Sequence, residues 1–303
     1  MQHFTVKSVL NKTKQRDPWF LDDYTLNPYS GCSFNCLYCY IRGSKYGINM
    51  AEKVQAKSHA IALLDKQLTL RARKKQYGII VLSSATDPYS YPEETQLLTR
   101  SLLEVILKHR FPVHMISKSN LICRDFDPLQ RIDEVSILPD DLRDRVSHRA
   151  FVTFSFATTD DALAHIFEPG APTPSVRLEA LRSASEKGLH TGVSLMPLLP
   201  YITVTAEHLE HMFDTFKQAG AQYIFPATLH VQGTQASDNK TLVLRAIDKH
   251  FPHLRATYDR LFQHHHQLPF YYRDAFRQKT EALSRSYGLQ NTLFTVEQQD
   301  AAC

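Results

Sequence analysis

Cys32, Cys36 and Cys39 fall within "GCSFNCLYC", spaced C-x3-C-x2-C, in a chain of 303 residues that has two other cysteines, Cys123 and Cys303. Thiols this close cannot build an ordinary disulfide framework, so metal binding is the chemistry to consider, against three merely buried cysteines. Structural zinc takes four ligands, usually as two C-x2-C-like pairs. A fourth would have to be Cys123, Cys303 or a distant histidine, since the first histidine after the group is His59. The alternative is a [4Fe–4S] cluster, which normally takes four thiolates. Held by three, it keeps one iron open to an external ligand and becomes a reactive centre rather than a simple electron carrier.

Such a group must be held by regular elements. Short apolar, often β-branched runs recur at "GIIVLSSATD" (78–87), "PVHMISKS" (112–119), "AFVTFSFATT" (150–159), "HTGVSLMPLLP" (190–200) and "YIFPATLH" (223–230), with a first strand expected at "TLNPYSG". Between them lie helical patterns at 59–75, 93–109, 175–188 and 206–220, with Gly188 and Gly220 as stops. Successive βα units predict an α/β fold with a parallel sheet. An eight-stranded barrel needs about 250 residues, and six strands are spent by residue 230. The expected fold is therefore a six-stranded partial (β/α)6 barrel of the TIM type, with a helical C-terminal extension from the patterns at 241–251, 254–266 and 271–288. The strands end in polar groups, Thr86-Asp87, Lys118-Ser119, Thr158-Thr159 and His230. Those carboxyl ends are where such folds place their chemistry.

Composition narrows the class. A formal charge of +4 is mild and does not demand a phosphate-rich partner. The 17 Phe, 14 Tyr and one Trp suffice for a sizeable core. No segment has the apolar length of a membrane span and the N-terminus lacks a signal-peptide core, so a soluble, cytoplasmic protein without membrane contact is expected.

The cysteine spacing, with Tyr38 before the last thiol, on a loop after the first strand of a βα barrel, resembles the radical S-adenosylmethionine (radical SAM) superfamily. A narrower resemblance, to its spore photoproduct lyase-like family, runs over about residues 5–235. It is carried by "SVLNKTK", "LNPYSGCSFNCLYCYIR", "SSATDPYSYPEE", "SKSNLICRDFDPL", "FSFATTD" and "FEPGAPTPSVRLEALRSASEKG". The resemblance implies a [4Fe–4S] cluster on Cys32, Cys36 and Cys39, with SAM on the open iron. It implies cleavage of SAM to methionine and a 5′-deoxyadenosyl radical that takes hydrogen from a substrate. Tyr38 would pack over the adenine. Thr86 or Asp87 would accept from the SAM amino group, Lys118 would hold its carboxylate, and Ser155 would meet carboxylate or ribose. It further implies a core over 26–235 between extensions at 1–25 and 236–303. A reducing partner of the flavodoxin or ferredoxin type would supply electrons. The substrate is unassigned, with nucleic acid a candidate.

One position departs from the family. True photoproduct lyases end the second strand in Cys-Thr-Ser-Asp, and that cysteine returns hydrogen to the repaired thymine. This chain reads Ser84-Ala85-Thr86-Asp87. A serine O–H is a far poorer hydrogen-atom donor than a thiol; Cys123, in a loop after the third strand, is a thiol that could substitute. Glu168 and Arg177 are read as an ion pair organising the loop after the fourth strand, the histidines at 264–266 as a solvated helix end, and "RARKK" (71–75) as a basic helix terminus. With no second cysteine group, an auxiliary cluster is not expected.

Overall fold

The structure, a computed structural model, describes residues 2–44, 54–263 and 265–295. Its strands are β1 (His3–Phe4), β2 (Leu10–Lys12), β3 (Tyr24–Leu26), β4 (Tyr29–Ser30), β5 (Gln55–Lys57), β6 (Ile80–Leu82), β7 (Val113–Ser117), β8 (Ala150–Phe156), β9 (His190–Leu198) and β10 (Tyr223–Thr228). Its helices are α1 (Ala60–Arg73), α2 (Glu93–Gln96), α3 (Leu98–Lys108), α4 (Phe126–Val135), α5 (Asp161–Phe167), α6 (Pro174–Glu186), α7 (Ala206–Gln218), α8 (Asn239–His250), α9 (Arg255–Leu261) and α10 (Phe270–Tyr287). The main sheet runs β10-β9-β8-β7-β6-β3-β2. Every neighbouring pair from β3 to β10 is parallel, and β2 is added antiparallel to β3. The α/β class and the mostly parallel sheet follow from these pairings.

Helical connections cover the sheet because its strands are apolar on both faces. Leu64 and Leu68 of α1, Leu102 and Ile106 of α3, Leu181 of α6 and Phe213 of α7 join Ile80, Val113, Phe154 and Val193 in one buried cluster. Gly188 and Gly220 stand at φ +77° and +90° just beyond α6 and α7, where the left-handed region suits glycine.

Three expectations change. The stretch "TLNPYSG" is not one strand: β3 ends at Leu26, and β4 belongs to a separate sheet, β1-β5-β4. Pro28 has no N–H to give a ladder, and the Asn27 amide is used instead to hold the loop after β6. The helix expected over 93–109 breaks at Leu97, which is left-handed (φ 51°). There the buried Glu93 carboxylate takes the Thr99 N–H at 2.9 Å. The helix through 254–266 stops at Leu261, before the histidines. His266 instead meets the Val231 carbonyl through Nδ1 at 3.1 Å, and His264 lies outside the described residues.

Phe20 and Trp19 pack on Phe225 in a second buried cluster. Buried His114 donates from Nδ1 to the Phe20 carbonyl (3.0 Å) and accepts at Nε2 from Thr153 (2.6 Å), which meets the Tyr223 hydroxyl (2.7 Å). The neutral ring satisfies every partner, and burial lowers its pKa to about 4. The unfolded chain therefore binds the proton first, near the ordinary value of about 6.5. Stability present above that value is lost as pH falls toward 4. Denaturant titrations should show about 2 kcal/mol less stability at pH 5 than at pH 7 from this ring. The same difference persisting in His114→Gln would refute the assignment.

Candidate active site

The loop that follows β3 and the short β4 carries the three cysteines across the carboxyl ends of the strands. It folds into turns closed by its own backbone, Cys39 N–H to Cys36 O (3.3 Å) and Arg42 N–H to Cys39 O (3.0 Å). Leu37 N–H reaches the Phe167 carbonyl at 2.8 Å, and Gly170 N–H reaches Phe34 O at 3.0 Å, so the loop rests on the segment that follows α5. A Cβ at Gly170 would run into the carbonyls of Ser33 and Phe34, which explains glycine there.

Cys32, Cys36 and Cys39 line one wall of a cavity of about 450 Å³, a size typical of small-molecule sites. Tyr38, Thr86, Asp87, Lys118 and Ser155 line it too, so the structure brings all eight expected site residues to one place. They arrive from four strand ends: the β3 loop, the β6 loop, the first residue after β7, and β8 itself.

The polar groups are interlinked. Asp87 is buried and accepts from Tyr89 N–H (2.9 Å), the Ser117 hydroxyl (2.8 Å) and Lys118 N–H (2.8 Å). Burial raises its pKa, and these donors offset part of the rise. The Thr86 hydroxyl donates to Tyr29 O at 3.2 Å, leaving its lone pairs free to accept. Lys118 Nζ donates to Ser155 Oγ at 2.5 Å and stands 3.7 Å from Glu168 Oε1. The Tyr38 hydroxyl also donates to Glu168, whose other oxygen pairs with fully buried Arg177. Burial works to raise the Glu168 pKa, but Lys118, Arg177 and the Tyr38 hydrogen bond hold it below the ordinary value. The pair expected to organise one loop thus sits under the cysteine loop and holds Lys118 and Tyr38 as well.

Burial pushes Cys32 up to about 11 and raises Cys36 and Cys39 also. Arg42 and Lys118 favour the thiolate of Cys39, and Lys118 that of Cys36. A soft cationic group arriving at this wall would displace the protons and take all three sulfurs. The residues present fit such a group.

Sequence reasoning missed several walls. Tyr40, with its hydroxyl on the Ser84 carbonyl, Ser194, Met196 and Thr228 complete the cavity, and Phe20 reaches it from the N-terminal segment. The polar end of β10 was the available signal, and His230, noted as a strand end, is a lining residue. Ser84 also lines it, its hydroxyl held by Asn27 Nδ2 at 2.8 Å. Cys123 does not: it packs half-buried against the main core on a 3-10 turn. The structure does not bring it to the cavity with the other thiols, and Cys303 lies outside the described residues. From the basic run, Arg71 lies over the Tyr24 ring at 4.4 Å, a structural use.

Parallel βα units with three thiols and several polar side chains around one cavity at the strand ends fit an α/β enzyme that holds a metal cluster. Comparison supplies the family: the radical SAM superfamily profile matches residues 26–216, and the chain belongs to that superfamily. Its cofactors are accordingly a [4Fe–4S] cluster and SAM. An uncharacterized protein of Mycobacterium tuberculosis is 27% identical over 273 residues, covering 88% of this chain and 75% of that one. An uncharacterized protein of Acidianus two-tailed virus is 29% identical over 226 residues, covering 70% and 69%. Among solved structures, spore photoproduct lyase complexed with dinucleoside spore photoproduct has a TM-score of 0.66 at 13% identity, over 95% of this chain and 80% of that one. A variant of that lyase with bound AdoMet and the same dinucleoside gives 0.63 at 14%, over 90% and 77%. The fold is thus that of the lyase. No helix among the described residues is long and apolar enough to cross a membrane.

Proposed function

We propose that Cys32, Cys36 and Cys39 hold the cluster and that the chain uses it to act on an organic substrate bound in the same cavity. Bound there, the reduced cluster and SAM would supply the radical chemistry of the superfamily, reductive cleavage of SAM with removal of a hydrogen atom from that substrate. The observation that carries this reading is the convergence of the three thiols with Tyr38, Thr86, Asp87, Lys118 and Ser155 on one cavity.

The residues have separable tasks. Lys118, the cation on the cavity wall, holds the SAM carboxylate, with Ser155 beside it. Thr86 accepts from the SAM amino group, and Asp87 keeps a lone pair for it beyond its three donors. Tyr38, anchored by Glu168, presents its ring to the adenine. Lys118→Met should leave iron content unchanged and weaken SAM binding by about tenfold or more, the worth of a charge-assisted contact. Equilibrium dialysis on the reconstituted protein checks this, and unchanged affinity would remove Lys118 from the site.

The strand order supports a six-stranded partial barrel, with 26–235 as core, 1–25 and 236–303 as extensions, and β2 of the first extension joined to the sheet. A cytoplasmic setting with a flavodoxin- or ferredoxin-type donor suits a centre that works reduced. Damaged pyrimidine repair is the reading suggested by the lyase's bound dinucleoside. Against it stands Ser84, an alcohol on the wall where that reaction wants a thiol. Restoration of intact thymines within lesion-containing DNA would favour repair, and its absence alongside SAM cleavage would direct the search to other substrates.

A further inference from the structure

We propose that residues 230–239, beyond the stretch matched by the superfamily profile, form a clamp that sets the position of the cysteine loop, with Gln232 and Asn239 as its positioning residues. The inference rests on the reading of the three cysteines as cluster ligands. A loop with no ladder of its own must find partners for its carbonyls elsewhere. Here alternate carbonyls of the cysteine loop are met by side chains from this one segment. Asn239, fully buried at the start of α8, donates through Nδ2 to Tyr38 O (3.3 Å) and His230 O (3.1 Å), while its Oδ1 accepts Gln232 N–H at 2.6 Å. Gln232 Nε2 donates to Tyr40 O (2.8 Å) and Arg42 O (3.0 Å).

Arg42 closes the clamp from the other side. Its guanidinium is buried, with Nε on Cys36 O at 2.9 Å and Nη1 on Ser237 O at 3.4 Å. Gly43, at φ +82°, lets the chain pass so close that a Cβ would stand 3.3 Å from Asp238 Oδ1 and 3.4 Å from Gln232 Cγ. Beneath these bonds Val231 and Val243 share an apolar cluster with Cys36 and Tyr38. None of the clamp's bonds touches a thiol. They fix the backbone that aims the thiols, and through His230 they tie it to the opposite cavity wall.

Two substitutions place a carboxylate oxygen where a donor stood, facing carbonyls: Asn239→Asp and Gln232→Glu. Val243→Ala loosens the same core without touching the clamp. In the full-length protein, metal-free and reconstituted, amide hydrogen exchange over 37–42 is expected to rise about tenfold in both clamp variants, each losing two hydrogen bonds. Iron release to a chelator should be several-fold faster, and the change in the reduced cluster's EPR signal on adding SAM should be diminished. Val243→Ala should lower stability and leave all three readouts near wild type. If Asn239→Asp does not fold, Gln232→Glu, at a half-buried position, decides alone. Exchange over 37–42 unchanged in folded clamp variants, or raised equally by Val243→Ala, would overturn the proposal. Because exchange is read without metal, a wild type that takes up no iron would defeat the cluster reading while leaving the clamp result intact.

Discussion

Replacing Cys36 with alanine is expected to reduce iron in the anaerobically reconstituted protein from about four per chain to near none, with the brown absorbance lost alongside it. Cys36 is the most enclosed of the three thiols, and the nearby carboxylates are already engaged: Glu168 is held by Arg177 and Tyr38, and Asp87 by three donors. Any SAM cleavage should fall by at least about a hundredfold, the scale seen when an outright requirement of a mechanism is removed. Cys123→Ala, off the cavity and against the main core, should change neither quantity. Full iron in Cys36→Ala would contradict the ligand assignment, and loss of iron in Cys123→Ala would restore it as a ligand.

The second large effect is expected at Arg177. Its guanidinium is wholly buried and meets Glu168, the Ser155 carbonyl (2.9 Å) and the Pro172 carbonyl (2.7 Å). Arg177→Met strips the main counter-charge from a buried carboxylate, leaving Lys118 at 3.7 Å as partial compensation. Breaking a buried pair on one side costs about 3–5 kcal/mol, and the lower end applies because Lys118 remains. Adding Glu168→Leu should recover much of that loss, since the uncompensated charge then disappears. Urea unfolding of the single and double variants measures this, and equal stability of the two would show that the charge pairing is not what matters. The double variant should still bind SAM poorly, because Tyr38 and Lys118 lose the carboxylate that orients them.

What the residues declared in advance depended on how local the signal was. The parallel strands were legible because buried runs such as "GIIVL" and "AFVTFSF" need no partner to be recognised, and the polar residues after them named the mouth where the site lies. Strands of two or three residues, His3–Phe4, Tyr29–Ser30 and Gln55–Lys57, have too few positions for any periodicity to show. The break at Leu97 was hidden because its cause is tertiary: Glu93 is engaged by Tyr29 and Arg124 from elsewhere in the chain. In the site, the eight expected residues were found by type, spacing and resemblance. Phe20, Gln232 and Asn239 were not, because their roles are set by groups brought close by folding, in the last two cases carbonyls about 190 to 200 positions away. Ser84 was legible both as a residue and as a departure, and its place on the cavity wall gives that departure chemical weight.

The most direct test is the anaerobic incubation of the reduced, reconstituted wild-type protein with SAM, followed by chromatography for 5′-deoxyadenosine. The account predicts that product, together with methionine, above a control lacking reductant and absent in Cys36→Ala. A protein carrying its full complement of iron, fully reduced and binding SAM, that yields no 5′-deoxyadenosine would contradict it.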